Sequence, residues 1–499
     1  MKNLFKIYLL ALLLVFVQFG FTQDQKQLTL QQVIELAKEQ SLDAFISKNL
    51  YLVSFWEFRS YQAERRPWLA FNPSPMSYKN SVSTYQDSTG SIRYIRENSF
   101  STFGALSLSQ NIALTGGNVS TYTGLDRIEN FKAEGNTLSF NSTPVSIGIN
   151  QPLFQYNDYR WQKKVEPLKF EKAKKEYIES VENISRQAIY YFFNLLDARQ
   201  ASSIALLNKS TADTIYQKSL GRYERGAIAL KDLQRLELNL LNSNLEYEKV
   251  QLQLERIKFD LVSFLRLPET TEVSLVFPDE FPKVKIQPAF ALGKAMENNP
   301  DILDFRQRMI ESDRKIASAK GSTGIQSNLS MNLGWGKSDD KLNDIYNDLN
   351  SNRSIKLGLY IPIVDWGLSK GKREMAKSNK EVVMARVEKE RIEFQQDVLM
   401  SAVEFNLLES QLESVVKARE IAERSYKTIS DRFLLGKENI ETLYASRNER
   451  DSAFRAYYKK LREIWVYYYY MRGVTLYDFE KEQDLSQDFN DFFGLNNSD

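Results

Sequence analysis

The 499-residue chain contains no cysteine and no histidine. Without them it has no disulfide, no thiolate nucleophile, no Ser-His-Asp triad and no imidazole metal site. A cysteine-linked lipid anchor is not expected either. Much familiar enzyme chemistry is thereby excluded, and we expect no catalytic residues, no cofactor and no metal. Long hydrophobic runs are also missing. After residue 22 every apolar stretch is broken by polar or charged residues well before the roughly 18 positions a spanning helix requires. Any membrane contact of this part of the chain must be made with strands. Nor is one sign of charge in excess: 66 Lys and Arg face 64 Asp and Glu, for a net +2. The basic residues are spread along the chain, which gives no electrostatic case for nucleic acid.

What is present begins with an export signal. Lys2 and Lys6 supply positive charge, Leu9 to Val17 form an apolar core, and Gly20 and Thr22 offer small residues for cleavage before Gln23. The core is shorter than the roughly 20 residues of a spanning helix, so a cleaved signal over 1–22 is expected rather than an uncleaved anchor.

Beyond it the chain matches itself. Gln151-Pro152-Leu153-Phe154 follows an alternating apolar run, as does Ile361-Pro362-Ile363-Val364, and the prolines are 362 − 152 = 210 positions apart. Arg222-Tyr223-Glu224-Arg225-Gly226 matches Arg432-Phe433-Leu434-Leu435-Gly436, with glycines again 436 − 226 = 210 apart. Upstream, the stretch from Leu36 to Asp43 resembles that from Lys294 to Asp301 at an offset of 301 − 43 = 258, so the first half holds 258 − 210 = 48 extra positions in its strand-rich part. A period this long is one duplicated unit rather than a solenoid repeat of about 20–50 residues. We expect a first repeat over 23–287, with strands within about 72–155 and a helical hairpin at 157–267. A second repeat over 288–480 has strands within about 326–364 and a hairpin at 367–477, and a polar tail follows at 481–499.

Each repeat reads as helix, strands, long helix, tip, long helix. Asn157 to Leu220 holds no glycine and only Pro167, and Lys372 to Leu435 holds neither residue, so each stretch can form a helix of about 90 Å. Apolar positions form narrow seams: Ile184, Ala188, Tyr191, Leu195 and Ala198; Phe405, Leu408, Leu412 and Val415; Leu233, Leu236 and Leu240. Spacings of three and four predict coiled-coil packing between neighbouring helices, with the Lys, Glu, Gln and Asn of the other faces in water. The aromatic run Trp465, Tyr467, Tyr468, Tyr469 and Tyr470 reads as helix packing rather than a ligand site. Carboxylate pairs such as Glu409 and Glu413 read as solvated helix surface.

The strand segments alternate. Leu329, Met331, Leu333 and Trp335 stand against Asn328, Ser330, Asn332 and Gly334, and Ile355, Leu357, Leu359, Ile361 and Ile363 follow the same rule. In the first half Leu106, Leu108, Ile112 and Leu114, then Val145, Ile147, Ile149 and Leu153, do likewise, and 77–86 and 119–128 are further candidates. An oily face and a polar face suit either a soluble sheet covered on one side or a membrane barrel with lipid outside and water inside. A few strands cannot close a barrel, and open edges are not tolerated in lipid, so the membrane alternative requires several copies. Thr115-Gly116-Gly117-Asn118 reads as a tight turn, and 87–99, 129–141 and 337–353 as longer polar loops.

Taken together, the Gln151-Pro152-Leu153-Phe154 strand end, its echo at Ile361-Pro362-Ile363-Val364 leading to Asp365-Trp366-Gly367, and the paired Arg-aromatic-x-x-Gly tips resemble the outer-membrane efflux protein family typified by TolC. The resemblance runs from Leu28 to about Tyr477. It implies a mainly α fold with membrane β: duplicated helix–strand–strand–helix units forming a trimeric β-barrel, continued by a helical coiled-coil tunnel in the periplasm. It further implies an outer-membrane exit duct of a tripartite efflux or type I secretion system. Its partners would be two further copies, a periplasmic adaptor (membrane fusion) protein, an inner-membrane RND or ABC transporter, and outer-membrane lipid. The enlarged first strand region departs from the family pattern.

In the family the helix tips dock the adaptor and form the closing aperture. Carried over, these are Arg222, Tyr223, Gly226, Asp232 and Leu233 in the first repeat, and Arg432, Phe433, Gly436, Glu438, Glu441 and Leu443 in the second. Arg222, Asp232, Arg432, Glu438 and Glu441 are candidates for ion pairs between subunits. A plain helix C-cap at Gly226 and Gly436 is a compatible reading. The alternative from another class is a non-transporting periplasmic coiled-coil scaffold or surface adhesin, which has no need of oily-faced strands.

Overall fold

The computed structural model describes residues 26–493 apart from 87, 89, 133, 134 and 279. The export signal read from 1–22 lies outside the described residues, as does 494–499 of the expected tail. In chain order the elements are β1 (Lys26–Leu28), α1 (Leu30–Gln40), α2 (Leu42–Ala63), β2 (Trp68–Gln86), β3 (Ile92–Ile112), β4 (Gly117–Asn130), β5 (Thr137–Leu153), α3 (Asp158–Glu224) and α4 (Leu230–Phe264). After them come β6 (Val273–Leu275), α5 (Pro288–Asn298), α6 (Pro300–Thr323), β7 (Gln326–Asp339), β8 (Asn350–Tyr360), α7 (Leu368–Leu434), α8 (Ile440–Thr475), β9 (Tyr477–Asp478) and β10 (Gln483–Asp484). Helix predominates.

The duplication is written into the element bounds. Helices α3 and α7 are each 67 residues long, with starts 368 − 158 = 210 and ends 434 − 224 = 210 positions apart, and α8 begins 440 − 230 = 210 after α4. The chain forms two compact units whose segments interleave. One comprises the described residues up to Tyr51, Ala173–Ile302 and those from Ile392 onward; the other Leu52–Lys172 and Leu303–Arg391.

The first unit is helical. Thr29 caps α1 in a reciprocal box with Gln32, while Leu30, Val33, Ile34 and Ala37 turn inward. The core joins Ile184, Ala188, Phe192 and Leu195 of α3 to Leu261 of α4. It continues through Val398, Ala402, Phe405 and Leu408 of α7 to Leu461, Ile464, Tyr468 and Met471 of α8. Of the seams read from the sequence, those on α3 and α7 enter this core through Ile184, Ala188, Leu195, Phe405, Leu408 and Leu412, with Tyr191 and Val415 packed against the cluster. Tyr468 and Tyr469 are buried in it and Trp465, Tyr467 and Tyr470 pack beside it, as helix packing requires. Glu409 and Glu413 are exposed.

The described part of the polar tail contributes β10, paired with β9, and a short 3-10 helix at Phe489–Phe493. Phe489 stacks 4.4 Å from Tyr51 and Phe492 packs 5.1 Å from Tyr177. Phe489 and Phe492 thereby hold the tail against α2 and α3.

The second unit holds a six-stranded antiparallel sheet in the order β2-β3-β4-β5-β7-β8. Opposed residues of neighbouring antiparallel strands share a face, so the register assigns the sides. One row reads Leu69, Leu108, Thr121, Ile147, Leu333, Arg353, and a parallel row reads Val119, Ile149, Met331, Ile355. The adjacent row on the other face reads Trp68, Ser109, Ser120, Gly148, Asn332, Ser354. An apolar face thus runs across all six strands, and its Leu69, Phe71, Leu106, Leu108, Ile147, Met331, Ile355 and Leu357 lie exposed.

The connections are shorter than the polar composition suggested. Strands β2 and β3 pair as far as Gln86 with Ile92, β4 and β5 as far as Asn130 with Thr137, and β7 runs to Asp339 before β8 starts at Asn350. The loops read as 87–99, 129–141 and 337–353 therefore contract to 87–91, 131–136 and 340–349. Backbone pairing carries a ribbon through polar residues whose side chains alone signal a loop. The loop between β7 and β8 folds back: Ile345 is fully buried and its carbonyl accepts a hydrogen bond from Ser142 Oγ at 2.5 Å.

Candidate functional site: the helix tips

Both long hairpins turn in the same way. Gly226 and Gly436 adopt φ of +73° and +74°, a conformation that glycine enters without the Cβ penalty. At the first tip Gly226 N–H donates to Tyr223 O at 2.7 Å and Ala227 N–H to Arg222 O at 2.8 Å. At the second, Gly436 donates to Phe433 O and Lys437 to Arg432 O, both at 2.9 Å. This pair of bonds is the Schellman arrangement, which satisfies the last carbonyls of a helix. Helix α8 is then capped by Asn439, whose side chain accepts from Thr442 N–H at 2.8 Å, whereas Ala229 leaves α4 without a side-chain cap.

The two tips meet. Ile215 of α3, Leu236 of α4, Tyr426 and Phe433 of α7 and Leu443 of α8 form a small buried cluster separate from the main core, and Leu233 is buried as well. The Arg222 guanidinium lies 3.2 Å from where a Cβ on Gly436 would stand. Tyr223 remains partly exposed.

The charges read from the sequence divide into two groups. Arg432 Nε pairs with Glu438 at 2.9 Å inside the second tip, and Glu441 pairs with Arg235 of α4 at 2.5 Å, the latter pair largely exposed. A hydrogen bond from its own backbone N–H, together with Arg235, holds the Glu441 carboxyl below the usual carboxylate range. Among the described residues neither Arg222 nor Asp232 forms an ion pair within the chain.

Two polar clusters escaped the sequence reading. Arg450 is only 2 % exposed; it donates to Asp451 Oδ1 at 2.6 and 2.9 Å and to Asn208 Oδ1 at 3.0 Å, and its guanidinium lies 4.1 Å over the Tyr426 ring. Asn208 donates in turn to Asp451 at 3.2 Å, and both line a crevice of about 340 Å³ with Asp197, Asn242 and Tyr458. The second cluster is Arg472 with Glu182 and Asp478. Burial alone would lower the Arg472 pKa, but its bonds to Glu182 outweigh this and raise it. Asp478 is likewise penalised by burial, yet Arg472 and the backbone N–H groups of Lys481 and Glu480 bring it below its ordinary value. Each cluster joins residues far apart in the chain, so local spacing carries no signal of it. Among the described residues no group of acidic side chains is arranged to hold a metal ion.

Residues 291–458 match the outer membrane efflux protein family. Among solved structures, the CmeC outer membrane channel of Campylobacter jejuni is similar with a TM-score of 0.65 and 16% identity, over 93% of this chain and 88% of that one. The outer membrane protein VceC of Vibrio cholerae gives 0.61 and 13%, over 89% and 95%. CusC, studied for transmembrane channel formation, gives 0.61 and 13%, over 89% and 91%. At such identities the likeness is one of fold. No curated protein matches the sequence.

Proposed function

From the match of residues 291–458 to the outer membrane efflux protein family and a fold shared with outer-membrane channels, we propose that the chain is a passive exit duct of a tripartite efflux or type I secretion system. It takes cargo from an inner-membrane RND or ABC transporter through a periplasmic adaptor. The observation that carries this is the six-stranded sheet whose apolar side chains stand exposed on one face while Ser, Asn and Gly predominate on the other. Lipid on the first side and water on the second satisfy both. A coiled-coil scaffold or adhesin gives those exposed side chains no role.

A single chain leaves both sheet edges open, which hydrocarbon does not tolerate; three copies remove them. The Schellman-capped tips are where the adaptor docks and the aperture closes, with Arg222 and Asp232, which form no ion pair among the described residues, pairing between copies. Exposed pairs contribute only about 0–1 kcal/mol each, so the closed state depends on several acting in all three copies. Selection of cargo falls to the pump.

The test is extraction from membranes in a mild detergent. A heat-sensitive trimer that conducts ions in a planar bilayer is expected; a monomer or dimer without conductance overturns the duct.

A further inference from the structure

We propose that the hairpin β2–β3 is part of the barrel wall, so that each chain contributes six strands and the wall is closed by β2 of one copy pairing with β8 of the next. With three copies, an assumption inherited from the proposed duct, the barrel has 3 × 6 = 18 strands.

The pairing leaves no other closure. Strand β4 is bonded on one side to β5 and on the other to β3 over an unbroken register from Ile112–Gly117 to Ser99–Asn130. Both of its edges are therefore occupied. The free edges of the sheet are β2 and β8. Neighbouring strands are antiparallel throughout, so with six strands β2 and β8 run in opposite directions and a second copy continues the alternation without interruption.

The hairpin also carries the same two faces. Leu69 and Phe71 of β2 stand opposite Leu108 and Leu106 of β3 in the apolar rows, and all four are exposed. Beyond the bulge between Ser74 and Ser77, Tyr78 opposite Phe100 continues that face. The apolar band climbs along the strands, from Ile355–Leu359 on β8 to Phe100–Leu108 on β3, whose centre in register lies about eight residues further along. Such a stagger is what strand tilt in a closed barrel produces. Pro73 and Pro75 sit in β2 beside the bulge. Proline is confined to edges and bulges of sheets, and inter-chain pairing accordingly runs on either side of it. Past Ser99 and Asn130 the hairpin continues without β4, as a two-stranded ribbon ending at Gln86 and Ile92.

The absence of native cysteine makes the test direct. In full-length protein in outer membranes, Ala70→Cys, Ser77→Cys or Ser81→Cys on β2 is combined with Ser354→Cys or Lys356→Cys on β8. A second series pairs the same β8 positions with Ser120→Cys or Tyr122→Cys on β4. Single-cysteine variants that still form a heat-sensitive oligomer establish that folding is intact. Oxidation or a short crosslinker should give inter-chain adducts in the β2–β8 series and none in the β4–β8 series. Adducts in the β4–β8 series, or an oligomer with none in either, overturn the six-strand wall and leave the duct standing. Absence of any oligomer overturns the duct, and this wall with it.

Discussion

Arg472 of α8 grips Glu182 of α3 at two points, with Nε at 2.8 Å and Nη2 at 3.1 Å from the two carboxylate oxygens, and its third nitrogen, Nη1, lies 2.6 Å from Asp478. The three side chains are nearly excluded from solvent, and Tyr468 completes the set by donating to Asp478 at 3.0 Å. Opposite charges removed from water hold each other only while all are present. Arg472→Leu leaves two carboxylates without their cation and should destabilise the folded protein by about 3–5 kcal/mol, read as a shift of the denaturant midpoint. Replacing Asp478 by Asn, which keeps an acceptor, should cost less.

Glu179 titrates near neutrality. Burial, reinforced by Asp301 and Glu176, pushes its carboxyl from 4.5 up to about 7. Between those values the folded chain binds more protons than the unfolded one, so this group lowers stability as pH rises from about 4.5 to 7, and the loss is complete above 7. Glu179→Gln should raise the melting temperature at pH 8 and leave it unchanged near pH 4. An equal effect at both pH values refutes the assignment.

At the tips, Gly436→Ala and Gly226→Ala place a Cβ on a left-handed backbone, at a cost of about 1–2 kcal/mol each. Gly436→Ala should cost more, because its Cβ also meets the Arg222 guanidinium at 3.2 Å whereas nothing approaches that of Gly226. Comparison of the two variants by thermal melting checks the order.

Neutralising the tip charges should separate gating from stability. Arg222→Ala with Asp232→Ala removes two side chains that make no ion pair among the described residues, so the melting temperature should change little while bilayer conductance rises. Unchanged conductance assigns these charges to ordinary helix surface.

The two faces of the sheet can be told apart with lysine. Lys356 already stands on the polar face, in the row of Asn150 and Ser330, whereas Leu357 lies in the apolar rows opposite Leu329. Leu357→Lys should cost about 2–4 kcal/mol in lipid and Asn332→Lys much less. The heat resistance of the oligomer in vesicles reads the difference.

The helices were legible because a period near 3.6 with few breakers leaves little choice over 67 residues. The tips were legible through their glycines, since Gly226 and Gly436 occupy positions where the Schellman turn needs positive φ. The extent of strand β3 was not. Polar residues such as Arg96 and Glu97 fall in the stretch 87–99 that reads as a loop, and only their pairing across the hairpin, with Lys79 bonded to Glu97 at 2.5 Å, makes them strand.

What the sequence determined by itself were the local and periodic properties: two long helical hairpins set 210 positions apart, strands with one oily side, and the exclusion of cysteine and histidine chemistry. Those follow from spacing and residue type, which act over a few neighbours. Only the tertiary structure decided which strands share a sheet, that β3 rather than another copy occupies the edge of β4, and that Arg450 and Arg472 are buried against partners more than 240 positions away. Such contacts depend on where distant segments meet, and no local pattern in the chain encodes that meeting.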